Sequence, residues 1–359
     1  MNAGDFPQKR RPKGIATLDD LEDFDEIIDV RSPDEFADDH LPGALSFPVL
    51  DNAQRAEIGT LYKQVSPFAA KKLGAAYISR NIALHLETGF LDKDKSWRPL
   101  IVCWRGGQRS GAMTTVLRSI GWDACQLEGG YKRFRTHVLA RLETLPGEFR
   151  LHLVSGPTGS AKTRILQRMA DLGAQVLDLE GLAAHKGSVL GRVPDQTQPS
   201  QKWFETQLYA TLSAFDRGQP VFVESESRKI GELRLPESLF VAMQQAGGTE
   251  IVAAREARVA FLLADYAYFM RDPDALARRL DGLRPLLGHE RINDWHAQIK
   301  NGEFAALTES LLALHYDPLY ARAQQRDYSQ QPRQPLMAGA LDDHEIERLA
   351  RCLMAQIQN

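Results

Sequence analysis

Cysteine is scarce in this chain. It has three in 359 residues, Cys103, Cys125 and Cys352, far apart and with no Cys-x-x-Cys pair. That spacing excludes a zinc ribbon or finger and a disulfide framework, and it fits a reducing compartment. Excess basic charge is missing too: 44 Lys and Arg against 47 Asp and Glu leave a net charge of −3. No global field draws the chain to nucleic acid, so any such contact rests on local clusters. The candidates are Lys71-Lys72, Lys132-Arg133 with Arg135, Arg228-Lys229, and Arg278-Arg279 with Arg284, each of which, taken singly, reads as a solvated face. There is no apolar run long enough to span a bilayer. Residues 1–14 are polar and basic and lack the apolar core of a secretory signal. No internal repeat is visible. These absences lead to the expectation of a cytoplasmic protein with no membrane contact.

What is present is an ordinary globular composition, 43% hydrophobic and 25% charged, in a chain long enough for two domains. Residues 1–14 read as a disordered tail, 15–140 as a first α/β domain, and 141–150, with Pro146-Gly147, as a linker. Residues 151–325 read as a second α/β domain with a helical extension, and 326–359 as a tail with a short helix. Apolar, β-branched runs predict strands at 26–30, 100–103, 125–127, 151–154, 175–179, 220–224 and 249–253. Helices are predicted after Gln108, after Tyr131 and near Lys162. From 256 to 316 the apolar residues take helical spacing, and those at 261–269 read first as core packing and second as the lining for an apolar tail. Strands alternating with helices imply parallel sheets.

The first chemical motif is Cys103-Trp104-Arg105-Gly106-Gly107-Gln108-Arg109-Ser110, which follows the apolar Leu100-Ile101-Val102. A thiol at a strand end, glycines that let the backbone curl, and arginines describe an anion cradle with a nucleophile at its floor. Successive N–H groups in such a loop form a nest, and that field favours thiolate over thiol. An inert core cysteine needs neither the glycines nor Arg105 and Arg109, the residues expected to contact the anion. Upstream lie Asp29-Val30-Arg31-Ser32-Pro33-Asp34-Glu35-Phe36 and His40-Leu41-Pro42-Gly43-Ala44, and downstream Leu127-Glu128-Gly129-Gly130-Tyr131. In their order these segments resemble the rhodanese domain, the sulfurtransferase fold that carries sulfur as a cysteine persulfide. Within it Arg31 and Glu35 read as a structural ion pair, His40 as a structural histidine and Pro42-Gly43 as a turn. The C-x5-R spacing is one residue longer than in short sulfurtransferase loops and equals that of cysteine phosphatases, although Val102 stands where those enzymes have histidine.

The second motif, Gly156-Pro157-Thr158-Gly159-Ser160-Ala161-Lys162-Thr163, follows a predicted strand and opens a predicted helix, the setting of a P-loop. Its N–H groups would wrap a di- or triphosphate, Lys162 would meet terminal phosphate oxygens, and the Thr163 hydroxyl offers a contact to Mg²⁺. Ala161 stands where the loop normally has glycine; a positive φ there costs about 1 kcal/mol or more. Asp178, Glu180, His185 and Lys186, then Glu224 and Glu226, fall at or after predicted strand ends, the binding edge of an open α/β sheet.

A rhodanese-like domain fused to a P-loop NTPase-like α/β domain with a helical C-terminal part resembles the tRNA 2-selenouridine synthase family. The match is carried by the two loops, by residues 178–191 and 223–231, and by His315-Tyr316-Asp317-Pro318-Leu319-Tyr320. Lys186 replaces an expected arginine. The resemblance implies a selenotransferase that acts on wobble 2-thiouridine of tRNA with selenophosphate as donor. It also implies S-geranylation of the thio group by geranyl diphosphate, the S-geranyl product being the intermediate. The P-loop would then hold geranyl diphosphate rather than ATP. The Cys103 loop would bind selenophosphate or carry selenium covalently. No tightly bound cofactor is expected; Mg²⁺ is a candidate ion, and an enzyme supplying selenophosphate is a candidate partner. The alternatives are a cysteine phosphatase or thiosulfate sulfurtransferase fused to an ATP-dependent kinase, and a non-catalytic tRNA-binding module.

Overall fold

A computed structural model describes residues 14–187, 191, 196–328 and 331–357. The expected N-terminal tail, save Gly14, lies outside these residues. The chain divides into two units, Met1–Arg141 with the short piece Glu205–Gln207, and Leu142–Phe204 with Leu208–Asn359. Among the described residues no helix is long and apolar enough to cross a membrane.

The first unit is built on a five-stranded, all-parallel sheet. Its strands are β1 (Ile15–Ala16), β2 (Glu26–Asp29), β3 (Leu45–Ser46), β4 (Pro99–Val102) and β5 (Cys125–Leu127), in the order β1-β5-β4-β2-β3. The central strand β4 is buried along its whole length, as a parallel strand covered on both faces must be. Ile28, Ile101, Met113 and Leu117 pack into one core with Phe90 and Trp97. Helices Asn52–Gln64 and Pro67–His85 lie between β3 and β4 and go beyond the simple strand–helix alternation expected there.

The ion pairs of this unit differ from the sequence expectation. Arg31 does not pair with Glu35. Its guanidinium reaches back to Asp29, with Nη2 2.6 Å from Oδ2, and also donates to the Asp39 carbonyl at 2.6 Å. It lies over the Tyr131 ring at 3.9 Å, and both charges are buried. Glu35 instead takes Arg109. The reason is geometric: Glu35 closes the first turn of the helix Pro33–Asp38 as its capping residue, with its carboxylate on the Ser32 N–H and hydroxyl. That places it on the side from which Arg109 arrives. His40 is structural as expected, bonded through Nδ1 to the Phe36 carbonyl and stacked on the Phe36 ring at 3.9 Å.

The second unit carries another five-stranded parallel sheet. It contains β6 (Leu151–Ser155), β7 (Gln175–Leu177), β8 (Val221–Glu224), β11 (Gly248–Ala253) and β12 (Arg333–Ala338), ordered β12-β11-β6-β8-β7. A small antiparallel hairpin, β9 (Lys229–Ile230) and β10 (Leu233–Arg234), stands apart. Two segments correct the sequence reading. The expected linker at 141–150 holds a 3-10 turn, Leu145–Glu148, with Leu145 and Pro146 buried, so it is packed structure. The expected tail from 326 supplies edge strand β12, while the short helix expected within it forms at Asp343–Ile357 and sends Ile346, Leu349, Ala350 and Leu353 into the core beneath the helix Lys162–Asp171. Pro335 hid the strand, because proline argues against an interior strand but is tolerated at an edge.

Candidate active sites

Both motifs emerge at the C-terminal edge of their sheets, where open α/β folds place ligands. Cys103 follows β4 directly and is buried, 3% exposed. Two glycines from separate segments interlock to shape its loop. Gly106 has φ +63, and a Cβ there would come within 2.5 Å of the Leu127 carbonyl oxygen. Gly130 has φ +57, and its Cβ would sit 2.2 Å from the Cys103 carbonyl oxygen and 2.5 Å from the Gly106 nitrogen. The backbones therefore touch where no side chain fits. The Tyr131 N–H then donates to the Cys103 carbonyl at 2.8 Å, and the Lys132 N–H to that of Trp104 at 2.9 Å. The first N–H groups of the helix Gly130–Leu142 thus hold the loop in place.

The sulfur itself faces the start of the helix Gln108–Ile120. The Gly107 N–H donates to Sγ at 3.2 Å, and Ser110 Oγ lies 2.9 Å away. Gln126 Nε2 braces this corner, donating to Ser110 Oγ at 2.9 Å and to the Gly107 carbonyl at 3.1 Å. A helix N-terminus and polar donors on a thiol sulfur are the surroundings of reactive cysteines. Gln126 has no motif signature. Only its place on β5, beside β4, brings it to Ser110.

The two arginines of the loop part company. Arg109 is engaged by Glu35, with Nη1–Oε2 at 2.5 Å and Nη2–Oε1 at 3.2 Å. Burial acts to raise the Glu35 carboxyl, but the Arg109 guanidinium outweighs it and holds it down at about 2. Arg105 is exposed and lines a surface depression with Lys132, Arg133 and His137. Trp104 is 38% exposed, its ring tilted against Tyr131 at 5.3 Å, and Gln108 opens the following helix.

The P-loop has the expected strand–loop–helix form, β6 to Lys162–Asp171. Gly159 takes φ +84, and a Cβ there would strike Leu262 at 2.8 Å. Ala161 does adopt the left-handed conformation, φ 58 and ψ 21. Its methyl is also buried in the core with Ile165 and Ile251. Three effects therefore meet in Ala161→Gly: relief of about 1–2 kcal/mol of strain, loss of about 0.8 kcal/mol of methyl burial, and about 0.4–1 kcal/mol of added unfolded-state freedom. They nearly cancel, so urea unfolding of Ala161→Gly should show a change below about 1 kcal/mol. A gain of about 1.5 kcal/mol would mean that the buried methyl contributes nothing.

Lys162 Nζ donates to the Gly156 carbonyl at 2.7 Å, and Thr163 Oγ1 to Glu180 at 2.9 Å. Arg258, buried, ties the loop to the His315–Tyr320 segment. It donates to the Thr158 carbonyl at 3.0 Å and to both Asp317 oxygens at 2.8 Å. Lys186 pairs with Asp265 at 2.5 Å and lies over the Tyr266 ring. Asp178 caps the helix Leu179–Ala183, its Oδ1 accepting from the Gly181 N–H at 2.7 Å. His185 follows that helix, its N–H on the Glu180 carbonyl at 3.1 Å. Residues 188–190 lie outside the described ones.

Glu180, Glu224 and Glu226 bring carboxylate oxygens within 4.8 Å of one another beside Lys162. Burial and the charge of Glu226 push the Glu180 carboxyl up to about 7, against the pull of Lys162 and the Thr163 hydroxyl. Burial, then Glu180 and Glu226, push Glu224 well above the carboxylate range. Burial also raises Glu226. Glu224 Oε2 is buried with no hydrogen-bond partner. Crowded oxygen donors, one orphaned, next to the P-loop hydroxyl fit a hard divalent cation such as Mg²⁺.

These two loops, each on its own parallel sheet, define a rhodanese-type cysteine domain followed by a P-loop domain. The comparisons agree. Residues 15–137 match the rhodanese-like domain, and residues 149–346 match the tRNA 2-selenouridine synthase AAA domain. The chain is 33% identical to the tRNA 2-selenouridine synthase of Marinobacter nauticus over 82% of its own length and 87% of that protein's. It is 30% identical to the one from Shewanella halifaxensis with the same coverage. The Nitrosomonas europaea protein of that name is 35% identical over 71% of this chain, and the match spans 66% of the relative. The chain belongs to the tRNA 2-selenouridine synthase family.

Proposed function

We propose that the chain replaces sulfur by selenium in 2-thiouridine of tRNA, in two stages at two anion sites. The observation that carries this reading is the pairing, on one chain, of a cysteine held by a backbone N–H beside a serine hydroxyl with a P-loop that has both Lys162 and Thr163 in place.

In the first stage the thio sulfur attacks C1 of geranyl diphosphate. The C1–O bond breaks, pyrophosphate leaves with the electron pair, and the nucleobase loses its N3 proton. The P-loop N–H groups and Lys162 stabilise the charge growing on the leaving group. Glu180, Glu224, Glu226 and the Thr163 hydroxyl are the residues that would hold Mg²⁺, which when bound neutralises diphosphate charge. In the second stage the base carries a thioether at C2. Selenide adds there and the geranyl thiolate departs.

The Cys103 loop supplies the selenide from selenophosphate. Transfer of selenium onto the cysteine as a perselenide, with phosphate as the other product, would require an oxidant. Attack of the Cys103 sulfur on phosphorus does not: the S–P bond forms as the P–Se bond breaks, hydrogen selenide leaves, and water later returns the cysteine and phosphate. A cysteine whose sulfur accepts the Gly107 N–H and lies 2.9 Å from the Ser110 hydroxyl suits displacement at phosphorus.

Incubating the protein with thiolated tRNA, geranyl diphosphate and selenophosphate should yield 2-selenouridine on nucleoside mass spectrometry. Omitting selenophosphate should leave S-geranyl-2-thiouridine. Absence of both products from a competent tRNA would overturn the reading.

A further inference from the structure

Next to the P-loop lies a second cavity. Its exposed wall is almost entirely apolar. Thr158, Leu262 and Tyr266 line both this cavity and the pocket over the P-loop, so the two adjoin. The inner wall is Leu263, Phe269, Leu276, Phe304, Leu307 and Leu311. The helices Arg255–Asp265 and Phe304–Leu311 supply most of it. The 261–269 stretch is therefore not only core packing, because Leu262, Leu263 and Tyr266 keep a partly open face toward this space.

We infer that this cavity receives the hydrocarbon tail of the diphosphate ester whose head is bound by the P-loop. The inference rests on the reading of the P-loop given above. The chemistry of the wall decides the ligand class. A nucleobase needs polar groups to satisfy its ring nitrogens and exocyclic groups, and burying them unpaired is costly. Here the wall is mainly leucine and aromatic side chains, and the hydroxyl of Thr308 is already donated to the Phe304 carbonyl. A branched, unsaturated hydrocarbon chain asks for nothing else. Arg258 fixes the junction, since it holds Thr158 through its carbonyl and Asp317, beside Tyr316, through both carboxylate oxygens. Head site and tail site are thus fastened to each other by one buried guanidinium.

Calorimetric titration with inorganic pyrophosphate, geranyl diphosphate and a non-hydrolysable ATP analogue, all with Mg²⁺, tests this. Geranyl diphosphate should bind about 100-fold or more tighter than pyrophosphate, most of the tail's transfer energy being offset by ordering. Leu263→Trp, which fills the cavity from a half-buried position, should remove at least about 10-fold of that gain and leave pyrophosphate affinity unchanged. Met270→Trp does the same from a more exposed position, so one misfolded variant does not decide the matter. Equal affinities for the two diphosphates, or full retention of the gain in both tryptophan variants, would overturn the tail site alone. Tighter binding of the ATP analogue than of geranyl diphosphate would do the same. Failure of pyrophosphate to bind, or binding indifferent to Lys162→Ala, would instead overturn the reading of the P-loop.

Discussion

Cys103→Ala should abolish selenium incorporation while S-geranyl-2-thiouridine still accumulates. Lys162→Ala should do the reverse at the first step, slowing geranylation by about 10²–10³-fold, the usual cost of removing one group that stabilises developing charge. The expectation follows from the separateness of the two loops. Cys103 is set by β4, by Gly106 and Gly130, and by Ser110 and Gln126. Lys162 is set by β6 and the glycines of its own loop. No residue is shared. Supplying pre-geranylated tRNA should therefore restore selenation to Lys162→Ala and leave Cys103→Ala inactive. Nucleoside mass spectrometry reads all four combinations. If either variant loses both steps equally, the division of labour between the loops is wrong.

Arg31→Ala should cost the first unit about 3–5 kcal/mol, because it leaves the Asp29 carboxylate buried and uncompensated. It also removes the donor to the Asp39 carbonyl and the cation over Tyr131. Hydrogen exchange at the β2 and β4 amides gives a readout local to this unit. Replacing both partners by apolar residues, Arg31→Met with Asp29→Leu, should recover much of the loss, since a missing pair is cheaper than a broken one. The effect should reach the site, because Tyr131 donates its N–H to the Cys103 carbonyl. Geranylation should survive in the single variant at temperatures where selenation fails. A loss below about 1 kcal/mol would place the pair among ordinary surface bridges.

The sites were legible where chemistry is written in consecutive residues. The Cys103 and P-loop runs, the strands that precede them and the helices that follow were each placed by pattern, and the left-handed Ala161 was anticipated from the missing glycine alone. The choice of side-chain partners was not legible. Arg31 chose Asp29, two residues back, because the chain turns there. Glu35 went to Arg109, and nothing in the spacing of the two reveals it. Gln126 and Gly130 serve Cys103 only because β5 lies beside β4. The C-terminal strand escaped notice since Pro335 is informative only once the strand's edge position is known. The apolar cavity looked like core, for periodicity counts which residues face inward and says nothing of whether they meet.

Lys162 rests against an internal acceptor. Its ammonium donates to the Gly156 carbonyl, and three crowded carboxyls stand beside it. The ammonium keeps two further N–H bonds for an incoming anion, and burial and crowding already press the three carboxyls toward their neutral forms. A diphosphate arriving with its own cation would therefore meet protons before it meets charge. Seating the cation expels them, so the loop's grip on such a ligand should strengthen as pH rises.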